Sequence, residues 1–186
     1  MFPAQAVINE ARRTHSLAVA LAERSTEDQF IWRPGSGMNS IAFHLWHLAR
    51  WADHLQSRLP QMTQELHAAL GDRPEIWKLE RLAERWGFSP ELLGHDETGM
   101  LMDDNQAALL PLPAQAALIE YARRAFQAAE EAVSQIPSSE FACANDQNPD
   151  ETIAEILASH MQHDARHLGM MECLLGLQGT HGTATR

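Results

Sequence analysis

Between Glu151 and Leu177 the chain runs without a proline, and Met161, Leu168, Met171, Leu174 and Leu175 recur in it at helical spacing. A stretch of this kind folds as one long helix, and its apolar face needs other helices to cover it. The chain supplies three more. Pro3 to Arg24 carries Ala, Val, Ile and Leu at the same period, and Pro3 suits a first turn. Ser40 is a good N-cap for SIAFHLWHLARWADHLQSRL, in which Ile41, Leu45, Leu48, Ala52 and Leu55 form one stripe and Pro60 sets the end. Ala114 to Ile136 is a further helix, rich in Ala, Glu and Arg, and Pro149 with Asp150 opens the last one, Glu151 to Leu177. No segment alternates as a strand does. The pattern predicts an all-α four-helix bundle.

The segments between these helices are uneven. Ser25 to Asn39, with Pro, two Gly and Asn, reads as a connector. From Pro60 to Pro113 the periodicity weakens: TQELHAALGD and PEIWKLERLAERWGF read as short helices, and GHDETGMLMDDNQAA as an acidic loop. So long a link exceeds what a simple hairpin needs, which predicts a crossover connection. SSEFACANDQNPDE is a second connector, and residues 178–186, QGTHGTATR, read as a flexible tail. With 186 residues the chain has the length of one domain.

Composition narrows the partners. The formal net charge of -11 repels a phosphate backbone, so nucleic acid is not the expected ligand. No stretch approaches the roughly 18 apolar residues of a membrane span, and no basic leader with an apolar core opens the sequence. Cys143 and Cys173 are the two cysteines, which without an export signal fits a reducing cytosol. Neither has an activating base nearby in sequence, so a catalytic cysteine is not expected.

The histidines are the chemical signal. His163 and His167 lie four apart and share a helix face, with His160 on the same sector. On the second long helix His44 and His47 lie three apart, and His54 follows seven after His47. A single imidazole on such a face is ordinarily a satisfied core group. Clusters on two helices point instead to a metal, for which neutral imidazole is the commonest protein ligand. Three histidines with one position left to solvent make an open arrangement of catalytic type, suited to zinc and also to Ni, Fe or Cu. HDARH is like the zincin HExxH with Asp in place of Glu, but few residues follow it, so a third ligand has to come from upstream. Periodicity leaves the choice between His160 and His163 open.

SIAFHLWHLARWADH, preceded by the WRPG turn at Trp32 to Gly35, and HMQHDARHLGMMECLLGL together resemble the two metal motifs of the DinB/YfiT-like superfamily. The likeness is strongest over Trp32–Leu55 and Ile153–Leu177, and looser in the middle third. It implies a four-helix bundle with a crossover, frequently a homodimer, in which His47, His163 and His167 hold one divalent metal. His44 and His160 are then extra groups that orient the ligands, line the pocket or serve as alternative ligands. Met170 stands where the family often has Gln. Several members of that superfamily are thiol-dependent transferases.

Asp164, on the same face, is suited to orienting a histidine or acting as a base, and equally to pairing with an arginine. Trp51 flanks His47 and is placed to line a pocket. The acidic run Asp96, Glu97, Asp103 and Asp104 lacks EF-hand spacing and reads as a solvated loop or as a cover over the site. Three functions follow: metal-dependent transfer of a low-molecular-weight thiol to a small electrophile, hydrolysis by a metal-activated water, and a metal-stabilised binding module without catalysis.

Overall fold

The computed structural model describes residues 4–180. In chain order its helices are α1 (Ala4–Arg24), α2 (Glu27–Ile31), α3 (Ile41–Arg58), α4 (Gln64–Leu70), α5 (Ile76–Leu79), α6 (Leu82–Arg85), α7 (Asp104–Ala107), α8 (Gln115–Ser134) and α9 (Ile153–Leu177). The four long ones, α1, α3, α8 and α9, form the bundle: α3 lies along α8, α1 packs on α8 and α9, and α9 closes on α3. Leu45, Trp46, Leu118, Phe126, Met171 and Leu175 fill one part of the core. Leu55, Leu59, Leu66, Val133, Ile153 and Leu157 fill the other. No helix of the described residues is long and apolar enough to cross a membrane.

The apolar stripe of α3 faces α8 and α9 as its period requires, yet fourteen of its 18 residues are buried, including His44, His47, Arg50, Asp53 and Gln56. The reason is the long connection. It folds back over the polar face of α3, so His47, Arg50, Asp53 and Gln56 exchange water for partners on it, while His44 faces His167 on α9.

Local details differ from the sequence expectation in places where short polar signals set the chain. The connector after α1 contains α2, started by Thr26, whose hydroxyl accepts from Gln29 N while Gln29 accepts from Thr26 N. PEIWKLERLAERWGF splits into α5 and α6 at Arg81, which is left-handed at φ 53°. The acidic loop contains α7, capped by Asp103.

The second connector holds an antiparallel pair, β1 (Ala144–Asn145) and β2 (Asn148–Thr152). Pro149, Asp150 and Glu151 therefore belong to a strand and do not open the last helix. Thr152 caps α9 instead, in a reciprocal box with Glu155. At the far end, Gln178 donates to the Gln29 carbonyl at 3.2 Å and Gln29 donates to Thr180 Oγ1 at 3.2 Å. The start of the expected tail is thus tied to α2. Its remainder, 181–186, and the first-turn role of Pro3 lie outside the described residues.

Candidate metal centre

α3 and α9 cross with their histidines facing one another. His47, His163 and His167 offer ligand atoms that all lie within 4.8 Å of each other. His47 Nε2 stands 2.9 Å from His163 Nε2. The ring orientations follow from what holds the other nitrogens. His47 Nδ1–H donates to the Thr98 carbonyl at 2.5 Å, and His163 Nδ1–H donates to Asp164 Oδ1 at 3.2 Å. With both Nδ1 atoms committed as donors, the two facing Nε2 atoms carry lone pairs. Two lone pairs so close repel unless a cation lies between them.

The third ring completes the cluster. His167 Nδ1 lies 2.9 Å from His44 Nδ1, which leaves Nε2 of His167 for the shared point. Burial holds the imidazoles neutral: His44 and His47 are pushed down to about 4, His47 further by its neighbour His163. His167 is pushed to about 2 by burial and by the adjacent His47 and His163. Imidazoles convergent from two helices with their Nε2 atoms facing one another suit a divalent cation of the zinc, nickel or iron class. The donor set fits the ion that the sequence pattern implies.

The remaining candidates fall into distinct places. His44 sits behind His167, as an orienting partner. Asp164 is buried and accepts from His163, and also from His15 Nε2 at 3.3 Å. It does not line the pocket on the open side of the cluster. Burial would raise its carboxyl, but the bonds from His15 and His163 hold it well below the usual range. His160 is separate from the triad: it packs edge-on against Trp51 at 5.5 Å and lines a small inner cavity with His15 and Asp164. Burial pushes His160 down to about 4. His54 lies 3.5 Å from Glu75 and 3.5 Å from Asp96, away from the cluster. Cys143 and Cys173 are free thiols, and neither lines the pocket described next.

The open side of the cluster gives onto a pocket of about 270 Å³, with Phe43, Trp51, Met100 and Met102 among its walls and Asn39 and Asp104 as polar lining. Half of it is built by the crossover segment, which is held down by Arg50. That guanidinium is fully buried and donates to the Glu97 carbonyl at 2.9 Å, the Asp96 carbonyl at 3.2 Å and Glu75 at 2.6 Å. It also meets Asp53 and the Tyr121 hydroxyl and stacks 4.8 Å over Trp77. Asp53 in turn accepts from the backbone N–H groups of Ile76 and Trp77. The acidic run is therefore divided: the backbone at Asp96 and Glu97 is pinned to Arg50, while Asp104 reaches the pocket.

Sequence reading missed Thr98, Arg50, Glu75, Tyr121, His15 and Glu130. None lies at helical spacing from a histidine that uses it. Arg50 lies off the apolar stripe of α3, so nothing in the period marks it as buried.

The DinB superfamily model matches residues 10–171 of the sequence. A crystal structure of a conserved protein from Enterococcus faecalis superposes with a TM-score of 0.70 at 19% identity, covering 94% of this chain and 95% of that one. At that identity the likeness concerns the fold. No curated protein matches the sequence. Since the matched segment takes in all of α3, the whole crossover and the three clustered histidines, the chain belongs to the DinB superfamily.

Proposed function

We propose that this protein binds one divalent metal, zinc or nickel in the first instance, and uses it to transfer a low-molecular-weight thiol to a small electrophile. The observation that carries the reading is the opening of the His47, His163 and His167 cluster onto an apolar-walled pocket. A bound ion supplies Lewis acidity, which brings the ionisation of an entering thiol into the neutral range. The protein's own residues do the rest. Thr98 and Asp164 hold two imidazoles in the tautomer that presents Nε2. Phe43 and Trp51 flank the cluster and keep water from the reacting sulfur. The sulfur forms the new S–C bond, the leaving group departs with its electron pair, and the thiol proton passes to solvent through the pocket mouth.

A purely structural ion would favour a closed shell of four side chains. Here the group has three members among the described residues, with His44 turned to His167 and His160 to the inner cavity. That supports the catalytic reading. A metal-dependent hydrolase also needs a base for water, and the carboxylate among the pocket residues is Asp104. Its position favours hydrolysis as the second reading.

Conjugation of electrophiles with glutathione, bacillithiol and mycothiol, with and without chelator, tests the proposal. The expected result is thiol addition that disappears on metal removal and returns on zinc or nickel, with Asp104→Asn changing it less than twofold. Conjugation that persists after complete metal removal would overturn the mechanism. Metal-dependent, thiol-independent ester or amide cleavage lost in Asp104→Asn would move the assignment to a hydrolase.

A further inference from the structure

Behind the metal centre lies a second buried group with no part in the reaction just described. His15, on α1, stands between two carboxylates from different helices. Its Nδ1 lies 2.8 Å from Glu130 Oε1 on α8, and its Nε2 lies 3.3 Å from Asp164 Oδ2 on α9. The ring is 6% exposed and stacks flat on Phe126 at 4.0 Å between centroids. A neutral imidazole has one N–H and can satisfy one of these oxygens. Both carboxylates are satisfied when the ring carries two N–H groups and a positive charge. In keeping with this, the bonds and charges of Asp164 and Glu130 raise His15 despite the opposing effect of its burial. On the outer side, Arg12 closes the series with its Nε 3.3 Å from Glu130 Oε2.

Asp164 thus has two oxygens with two tasks: Oδ2 accepts from His15 and Oδ1 accepts from His163 Nδ1–H. We infer that His15 is a positioning residue for the metal centre: its bond to Asp164 Oδ2 turns Oδ1 toward His163 and so fixes the ring tautomer that presents Nε2 to the ion. The alternative for so central a cluster is a staple between α1, α8 and α9. The two roles separate because a staple changes the stability of the bundle, whereas positioning also changes the protonation of one particular nitrogen. Without His15, Asp164 Oδ2 has lost its donor and the carboxylate its orientation, and His163 is free to turn or to carry its proton on Nε2. Outer hydrogen bonds of this kind typically change metal affinity by about 10–100-fold when removed.

The inference rests on the metal-binding part of the proposal above and not on the reaction. The test uses metal-free full-length protein and zinc alone, in competition with a chromophoric chelator, together with histidine ¹⁵N NMR to read the His163 tautomer. His15→Phe keeps the stack on Phe126 and removes both N–H groups. It is expected to weaken zinc about 10–100-fold and to convert His163 from a single Nδ1–H tautomer to a mixture. Val19→Ala, a core truncation on the same helix, is the control for general loosening: it lowers stability and leaves zinc affinity and the tautomer as they are. Glu130→Gln, at the partly exposed end of the series, is expected to weaken zinc several-fold, and reads the same effect if His15→Phe does not fold.

Zinc affinity within threefold of wild type, with His163 still a single Nδ1–H tautomer, in both His15→Phe and Glu130→Gln would overturn the inference. So would an equal loss in Val19→Ala. Failure of the wild-type protein to take up zinc, by contrast, would overturn the proposed function.

Discussion

At Gly99 the backbone has φ +88°, and a β-carbon built there would stand 2.8 Å from the Trp46 ring and 3.0 Å from His47 Nδ1. The neighbouring Thr98 carbonyl is what His47 Nδ1–H donates to. Gly99→Ala is therefore expected to cost about 2–4 kcal/mol of stability from left-handed strain and overpacking together, and to release His47. A urea melt and a zinc titration check both effects. Among the rings themselves, His163→Ala or His167→Ala should abolish metal retention through gel filtration, and His47→Ala should weaken it strongly. His44→Ala, which removes only a partner of His167, should weaken it about tenfold. Of these residues the pair four apart on one helix was plain in the sequence, because helical period alone puts both on one face. His47 came from its resemblance to a known motif. Thr98 was hidden: it lies 51 residues from His47 and acts through its carbonyl, which every residue type possesses.

The crossover segment is an element pinned at three points by one buried charge. Arg50 has no exposed surface and is balanced by Asp53 and Glu75. Arg50→Met leaves the buried Asp53 without its cation and Glu75 with Lys78 alone, and is expected to destabilise by about 3–5 kcal/mol, with the pocket wall loosening first. Hydrogen exchange over residues 94–107 would register this. Glu75 is pushed down to about 2: burial opposes its ionisation, and the bonds from His54, Arg50 and Lys78 prevail. A carboxyl with a depressed folded value stabilises above its unfolded value, near pH 4.5, and that stability is lost as pH falls through about 2. Glu75→Gln should lower stability at pH 7 and flatten the decline between pH 4.5 and 2 in acid-dependent urea melts. The long helices were legible because their period is sustained over many residues. The β1–β2 pair was not, since NPDET shows no alternation and its residues are exposed or half-buried. The start of α9 was legible in principle as Thr152 with Glu155, but Pro149 gave the stronger, misleading signal.

At the scale of the molecule, the bundle should bind its ion without large rearrangement, because α3 and α9 already meet in the described structure. Anything that binds the folded chain alone raises its melting temperature with concentration. Free zinc at about a hundred times its dissociation constant adds about 2.7 kcal/mol, or roughly 5–11 °C for a chain of this size. Calorimetry with a chelator series should show that dependence, and circular dichroism should show a helical spectrum persisting in the metal-free protein. A helical signal that vanishes with the metal would mean that the bundle does not stand alone. Net charge and the number of long helices were readable from composition and period. The meeting of the α3 and α9 histidines was expected from their paired clusters and the family resemblance, whereas the crossover carbonyl that orients His47 was not.

The routing of the chain between α3 and α9 has a consequence for how the protein matures. His47 and His163 are 116 residues apart, and the whole crossover, α8 and the hairpin intervene. Closing so long a loop is an entropic cost that the packing of the bundle must meet before any ion can bridge the two rings. On the proposed reading, ion capture would be a late event that follows docking of α9. Retention of the proposed metal would then be a seal on correct assembly: a chain whose last helix has not seated offers only the pair on α9 and would let the ion go.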